Sequence, residues 1–334
     1  MNRQWMVTSL IVAAALAGCA PKAQPKPEAR LEPGPKGDMM WAYPNGATTL
    51  WGPPAGDGPY TVPGSTLTFT KAEVADDQNP VDWFPQDHPP APDIVAHNRK
   101  GKAGVTPCAE CHQFNGEGSL DTADLNGLPA DYIVEQIHAF RDGDRVSALA
   151  ERGSTREMIE IAKKVPDADL QKAAAWFASL PRGTHRRVVE TDEVPRTWAD
   201  RFGWWNVKAD GGKEPVGQRV MEIADDLPRF FMEDDHVGVA LYAPKGAIAR
   251  GQALVESGGP GGQPCTMCHG ADLKGMGNVP PLAGRPAPYL GRMLWDIKTG
   301  ARKGPTVALM QTPARNLTAG QIVDITAYLS SRKP

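Results

Sequence analysis

Residues 108–112 spell CAECH and residues 265–269 spell CTMCH, each residue of the first lying 157 positions before its counterpart in the second. Two thiols three residues apart, with an imidazole next door, admit three chemistries: half a zinc site, a redox dithiol, or covalent attachment of a haem. A zinc ribbon joins two C-x-x-C units about 15–20 residues apart, whereas Cys111 and Cys265 lie 154 apart. A thioredoxin-like dithiol needs a βαβ context, and none is visible around either pair. Haem attachment explains every residue of the motif. The two cysteines reach two vinyl groups on one porphyrin edge, and the adjacent histidine lies under the iron. The expectation is two covalently bound haem c groups, on Cys108 and Cys111 and on Cys265 and Cys268, with His112 and His269 as axial iron ligands.

Cysteine arithmetic agrees. The chain has five cysteines, and the one outside the two motifs is Cys19. The opening residues MNRQWMVTSLIVAAALAGCA have a charged Arg3, an apolar run from Met6 to Ala17 and small residues leading into Cys19. That run is too short to span a bilayer and has the form of a signal peptide. LAGC resembles the bacterial lipobox, whose cysteine is acylated and becomes the mature N-terminus; the alternative is an ordinary signal peptide that contains a cysteine. Ala20 in place of Asp then favours the outer membrane over the inner, on the periplasmic side. Pro21 to Gly37 forms a Pro- and charge-rich tether.

The 157-residue offset extends beyond the motifs. It pairs LNGLPADYI (125–133) with LAGRPAPYL (282–290), Gly143 with Gly300 and Arg145 with Arg302. Past Arg145 the offset becomes 152, aligning AAWFAS (174–179) with TAYLSS (326–331) and Met158 with Met310. The chain therefore carries two copies of one domain. Each of these methionines precedes a closing amphipathic helix, 46 and 41 residues beyond its histidine. A haem domain can bring a thioether to the far face of the iron from there, so Met158 and Met310 are the expected second axial ligands. His/Met ligation suits a low-spin electron carrier and raises its potential over bis-His. A methionine is otherwise a core filler. The rivals of Met310 are Met276, in a Gly-rich loop expected on the proximal side, and Met293, which is mid-helix and aligns with Gln136.

Taken together, these residues resemble the class I cytochromes c in a tandem dihaem arrangement, over about 86–185 and 237–333. The resemblance implies an all-α fold, three to five helices around each haem, with irregular N-terminal and inter-domain segments. It implies that a proline carbonyl near Pro280 and Pro281 holds the His269 imidazole, where the first copy has Ala123 and Asp124. Tyr132 and Tyr289 would open the middle helix and pack near a haem edge. Trp176 and Tyr328 would pack the last helix on the one before the motif. The organisation expected is a signal peptide (1–18), tether and Pro/Gly-rich extension (19–85), first domain (86–185), inter-domain segment (186–235) and second domain (236–334). Within the inter-domain segment QRVMEIA suggests a short strand, and GAIARGQALVESGG (246–259) a helix ended by glycines. The first copy has the shorter APDIVAHNRKGK in that place.

The remaining histidines, His88, His97, His138, His185 and His236, are expected to be ordinary packed or surface residues. A net charge of −3 gives no reason to expect nucleic acid. The copies differ in charge, however: residues 86–185 hold 11 Lys/Arg against 15 Asp/Glu, and 236–334 hold 11 against 4. Such asymmetry suits two different partners. The resemblance implies a carrier of single electrons, lipid-anchored at Cys19. It would pass them from a dehydrogenase or quinol-oxidising complex to a terminal oxidase or reductase. The alternatives are a fixed haem subunit of such a complex and a peroxidase-like haem enzyme with an open iron position.

Overall fold

The computed structural model describes residues 39–46, 56, 58–97, 105–200 and 203–334. Cys19 and the residues expected to form a signal peptide and tether lie outside them.

The two copies fold into helical domains with the same order of elements. The first contains helices Asp93–Ala96, Cys108–His112, Ala130–Asp142, Gly153–Lys164 and Asp167–Ser179. The second contains Ala247–Ser257, Thr266–His269, Ala287–Thr299, a 3-10 turn Pro305–Met310 running into Gln311–Arg315, and Ala319–Ser331. Local chemistry sets the ends. Pro129 and Pro286 precede the two middle helices, and Gly143 and Gly300 stop them at φ of 75° and 79°, a left-handed cap that glycine adopts without Cβ strain. Thr318 and Gln321 form a reciprocal capping box at the start of the last helix. Each domain closes its last helix on the one before its motif. In the second copy that contact is very close, because a Cβ on Gly251 would lie 2.0 Å from the Asp324 carbonyl oxygen. In the first copy, the one-turn helix Asp93–Ala96 fills the same place, and Trp176 donates its indole N–H to Pro89 O at 3.0 Å.

The all-α expectation needs correction, because the segment between the domains is not irregular. Seven strands follow the first domain: β1 Arg186–Thr191, β2 Glu193–Pro195, β3 Thr197–Ala199, β4 Trp205–Val207, β5 Lys213–Pro215, β6 Met221–Ala224 and β7 Val239–Pro244. β7 lies between β1, to which it runs parallel, and β6, to which it runs antiparallel. The pairs β2–β5 and β3–β4 are antiparallel. Only β6, inside QRVMEIA, was legible. Strands of three residues are too short to show a period of two, and β1 finds its parallel partner about fifty residues downstream.

The N-terminal extension is ordered where it is described. Trp83 and Phe84 are buried with Val62, Val74 and Val81 against Met232 of the inserted module, and the Trp83 indole N–H donates to Met232 O at 2.6 Å. Further upstream, Trp41 and Tyr43 enter the core of the second domain. Tyr43 donates its hydroxyl to Asp296 Oδ1 at 2.7 Å, and a Cβ on Gly291 would lie 2.6 Å from the Trp41 ring. The extension and the module thus tie the two helical domains into one body.

Candidate haem sites

Each attachment histidine is oriented by a backbone carbonyl. His112 Nδ1 lies 2.8 Å from Ala123 O, and His269 Nδ1 lies 2.8 Å from Pro280 O. A carbonyl can only accept, so Nδ1 carries the proton in both and Nε2 is left with its lone pair. The bond expected to differ between the copies is therefore the same, because its acceptor is main chain and needs no proline. Both rings are buried. Burial pushes the His112 imidazole down to about 4 and His269 down as well, so both stay neutral at ordinary pH, as a metal ligand must. Burial also pushes the Cys108 thiol up to about 12, and Cys111 rises too. A redox dithiol needs the opposite shift.

His112 and Met158 line one cavity in the first domain, enclosing about 1000 Å³ of non-protein space that is partly open to solvent. Leu125, Ile133, Ile137 and Ile161 form much of its wall, and a second, largely apolar lobe reaches Cys108 and Cys111. The second domain completes the wall with Tyr289, Arg292, Met293 and Asp296. Met158 is thus brought to the attachment histidine by the helix Gly153–Lys164. In the second domain Met310 ends the 3-10 turn and packs on Ile297, Val307 and Ala314. Its rivals lie elsewhere. Met293 Sδ accepts from Arg145 at 3.4 Å across the domain boundary, and Met276 is 60% exposed.

Four of the five other histidines are held by carboxylates: His88 by Asp82, His138 by Asp167, His185 by Glu117 and His236 by Asp87. His97 is exposed.

Between the two sites the repeat becomes a local two-fold. Arg145 and Arg302 form an antiparallel bridge. Val146 N–H donates to Ala301 O, and Lys303 N–H to Asp144 O, at 2.9 and 2.8 Å. The Arg145 guanidinium donates to Tyr289 Oη at 3.2 Å, and that of Arg302 to Tyr132 Oη at 3.0 Å. Both arginines also donate to Gln136 Oε1. The two tyrosines, which both line the first cavity, are therefore also partners across the boundary, and Tyr132 packs on the core of its own domain as well. The sequence held one signal of this: the arginine and the tyrosine both recur at the 157-residue offset.

A sequence profile of the cytochrome c family matches residues 99–181 and 248–333, just over half of the chain, with one attachment motif in each segment. The chain belongs to the cytochrome c family. It is 24% identical over 231 residues to a thiosulfate dehydrogenase electron acceptor of Thiomonas intermedia, covering 67% of this chain and 78% of that one. It is also 24% identical over 235 residues to cytochrome c4 of Pseudomonas aeruginosa, covering 69% and 85%. Among solved structures it resembles the thiosulfate dehydrogenase TsdBA of Marichromatium purpuratum, at 26% identity and a TM-score of 0.46. That match covers 69% of this cytochrome and 37% of the other chain.

The family binds haem c covalently, and the residues of the first site fit that group. Cysteine thiols, a neutral imidazole and a thioether line an apolar cavity, and one buried donor there still lacks an acceptor. Gln136 Oε1 takes both arginines, which fixes the amide orientation and leaves the buried Nε2 without a partner. A propionate oxygen is the kind of acceptor it needs.

Proposed function

We propose that this cytochrome carries single electrons between proteins, one haem in each domain, with His112 and Met158 as axial ligands in the first and His269 and Met310 in the second. Bound between such ligands, a haem iron supplies one-electron redox chemistry with no open position for a substrate. The observation that carries the reading is that His112, held by Ala123, and Met158 line one apolar cavity. The chain's own residues do the rest. Cys108, Cys111, Cys265 and Cys268 would anchor the groups, the Ala123 and Pro280 carbonyls orient the imidazoles that would hold the iron, and the aliphatic side chains of the first cavity would bury most of the ring there.

The relatives' names support an electron-transfer role. The proposed donor is a dehydrogenase or quinol-oxidising complex, and the proposed acceptor a terminal oxidase or reductase. The proposed location is the periplasmic side of the outer membrane, through a lipid on Cys19; among the described residues no helix is long and apolar enough to cross a membrane. The ferric holoprotein should show two low-spin His/Met haems, and the ferrous form should not bind carbon monoxide. A high-spin haem would replace this reading with a haem enzyme. The ordered module of 186–244 favours a second reading, a fixed subunit of a larger oxidoreductase, which stable co-purification with that complex from native membranes would establish.

A further inference from the structure

Two positions that should be equivalent in the two copies are treated in opposite ways. On the attachment turn Thr266–His269 the residues advance by about 100° each. Cys265, Cys268 and His269 therefore share one side, and Met267 points to the other. Met267 is 63% exposed. Met276 is 60% exposed, next to Gly275, whose N–H donates to His269 O at 2.8 Å. Leu309, beside Met310, is 85% exposed. Among the described residues these are three of the five large hydrophobic side chains that stand exposed, and all three lie in the second copy, in its attachment motif, seven residues beyond His269 and next to Met310. In the segment 264–316 the exposed charges are Lys274, Lys303 and Arg315 against Asp272.

In the first copy the counterparts of Met267, Met276 and Leu309 are Glu110, Ser119 and Glu157. Here the chain covers the turn itself. The Glu110 carboxyl is hydrogen-bonded to Glu233 of the inserted module, and its Oε2 is buried. Val81 of the N-terminal extension donates its N–H to Glu233 Oε2 at 3.1 Å. Asn115 is bonded twice to Asp235, at 2.9 and 2.7 Å. Leu120, one residue past Ser119, is buried among Trp204, Phe230 and Val237 of the module. Arg186 donates to the carbonyls of Glu117 and Gly118.

We propose that the module and the N-terminal extension close the attachment face of the first domain. The second domain's face around Met267, Met276 and Leu309 is then the one surface on which a protein redox partner docks. The inference rests on the electron-carrier reading. The partner that fits presents an apolar centre flanked by carboxylates, since an apolar patch loses its water on contact and Lys274, Lys303 and Arg315 attract the opposite charge. The first haem then exchanges electrons with partners only by way of the second domain.

Stopped-flow oxidation of the reduced holoprotein tests this, with a small acidic copper protein as one oxidant and hexacyanoferrate(III) as the other. Lys274→Glu with Lys303→Glu should slow the copper protein about fivefold or more at low salt, and Met267→Asp with Leu309→Asp should do likewise. Asp142→Lys and Lys163→Glu, made separately, which change the first domain's exposed charge, should each change that rate less than twofold. Spectra showing both haems intact in every variant exclude misfolding. Equal sensitivity to charge on the two domains, or a wild-type rate that rises with salt, overturns the proposal. Carbon monoxide binding to the wild-type ferrous protein would instead overturn the carrier reading beneath it.

Discussion

The carboxylate of Asp121 in the first domain accepts from Arg292 of the second and pairs with the charge of Arg152 in its own domain, with all three residues buried. Arg292 also donates to the Ala42 carbonyl at 2.9 Å, so one carboxylate joins both helical domains and the N-terminal extension. Asp121 has φ of 68°, a region that Asn tolerates nearly as well as Asp. Asp121→Asn therefore keeps the backbone and removes the charge beneath two buried guanidiniums. The expected loss is about 3–5 kcal/mol, read as a lower urea midpoint of the holoprotein. A change under about 0.5 kcal/mol would show that the network carries no net stability.

Arg145 and Arg302 predict a matched pair of effects. Tyr132→Phe and Tyr289→Phe each delete one acceptor of a buried guanidinium without opening a cavity. Each should cost about 1–3 kcal/mol. Urea unfolding of both variants should give similar values, because the two contacts are related by the local two-fold.

The axial assignments separate by haem. Met158→His should lower the reduction potential of the first haem, since bis-His ligation favours the ferric state more than His/Met does, and leave the second unchanged. Met310→His should do the reverse. Redox titration of the two haems checks both. A variant that leaves its own haem's potential unmoved removes that methionine as a ligand.

The hold of the inserted module on the first domain depends on pH. Burial pushes the Asp235 carboxyl up to about 6, against the Asn115 N–H and the charge of His236, which lower it; Asp82 and Asp234 add to the rise. A folded value above the unfolded one of about 3.9 means that the fold favours the protonated acid. Its contribution is complete below about 3.9 and is lost as pH rises through about 6. His185 is raised as well, first by its hydrogen bond to Glu117, and loses its contribution in the same direction; Glu117 is lowered and runs the other way. Asp235 alone gives a decrease on the order of 1 kcal/mol between pH 5 and pH 8, and Glu110 and Glu233, both raised chiefly by burial, add to it in the same direction. Hydrogen exchange of amides 230–237, corrected for intrinsic rates, should show it, and Asp235→Asn should flatten it.

The sequence by itself showed the two C-x-x-C-H motifs, the repeat that carries them and the alignment of Met158 with Met310. Covalent attachment demands thiols and imidazole at a fixed local spacing, and a duplicated domain repeats its ligands at a fixed offset. The helix Ala247–Ser257 and the glycines that end it were legible for the same reason, because caps and helical periods are local. Only the tertiary structure decided that Arg145 faces Tyr289 and Arg302 faces Tyr132. It also set Met293 Sδ against the Arg145 guanidinium, and paired β1 with β7. The covering of Glu110 by Glu233, while Met267 stays open, was likewise invisible in the chain. Those contacts join residues from 53 to 170 positions apart, where no local pattern records which face meets which.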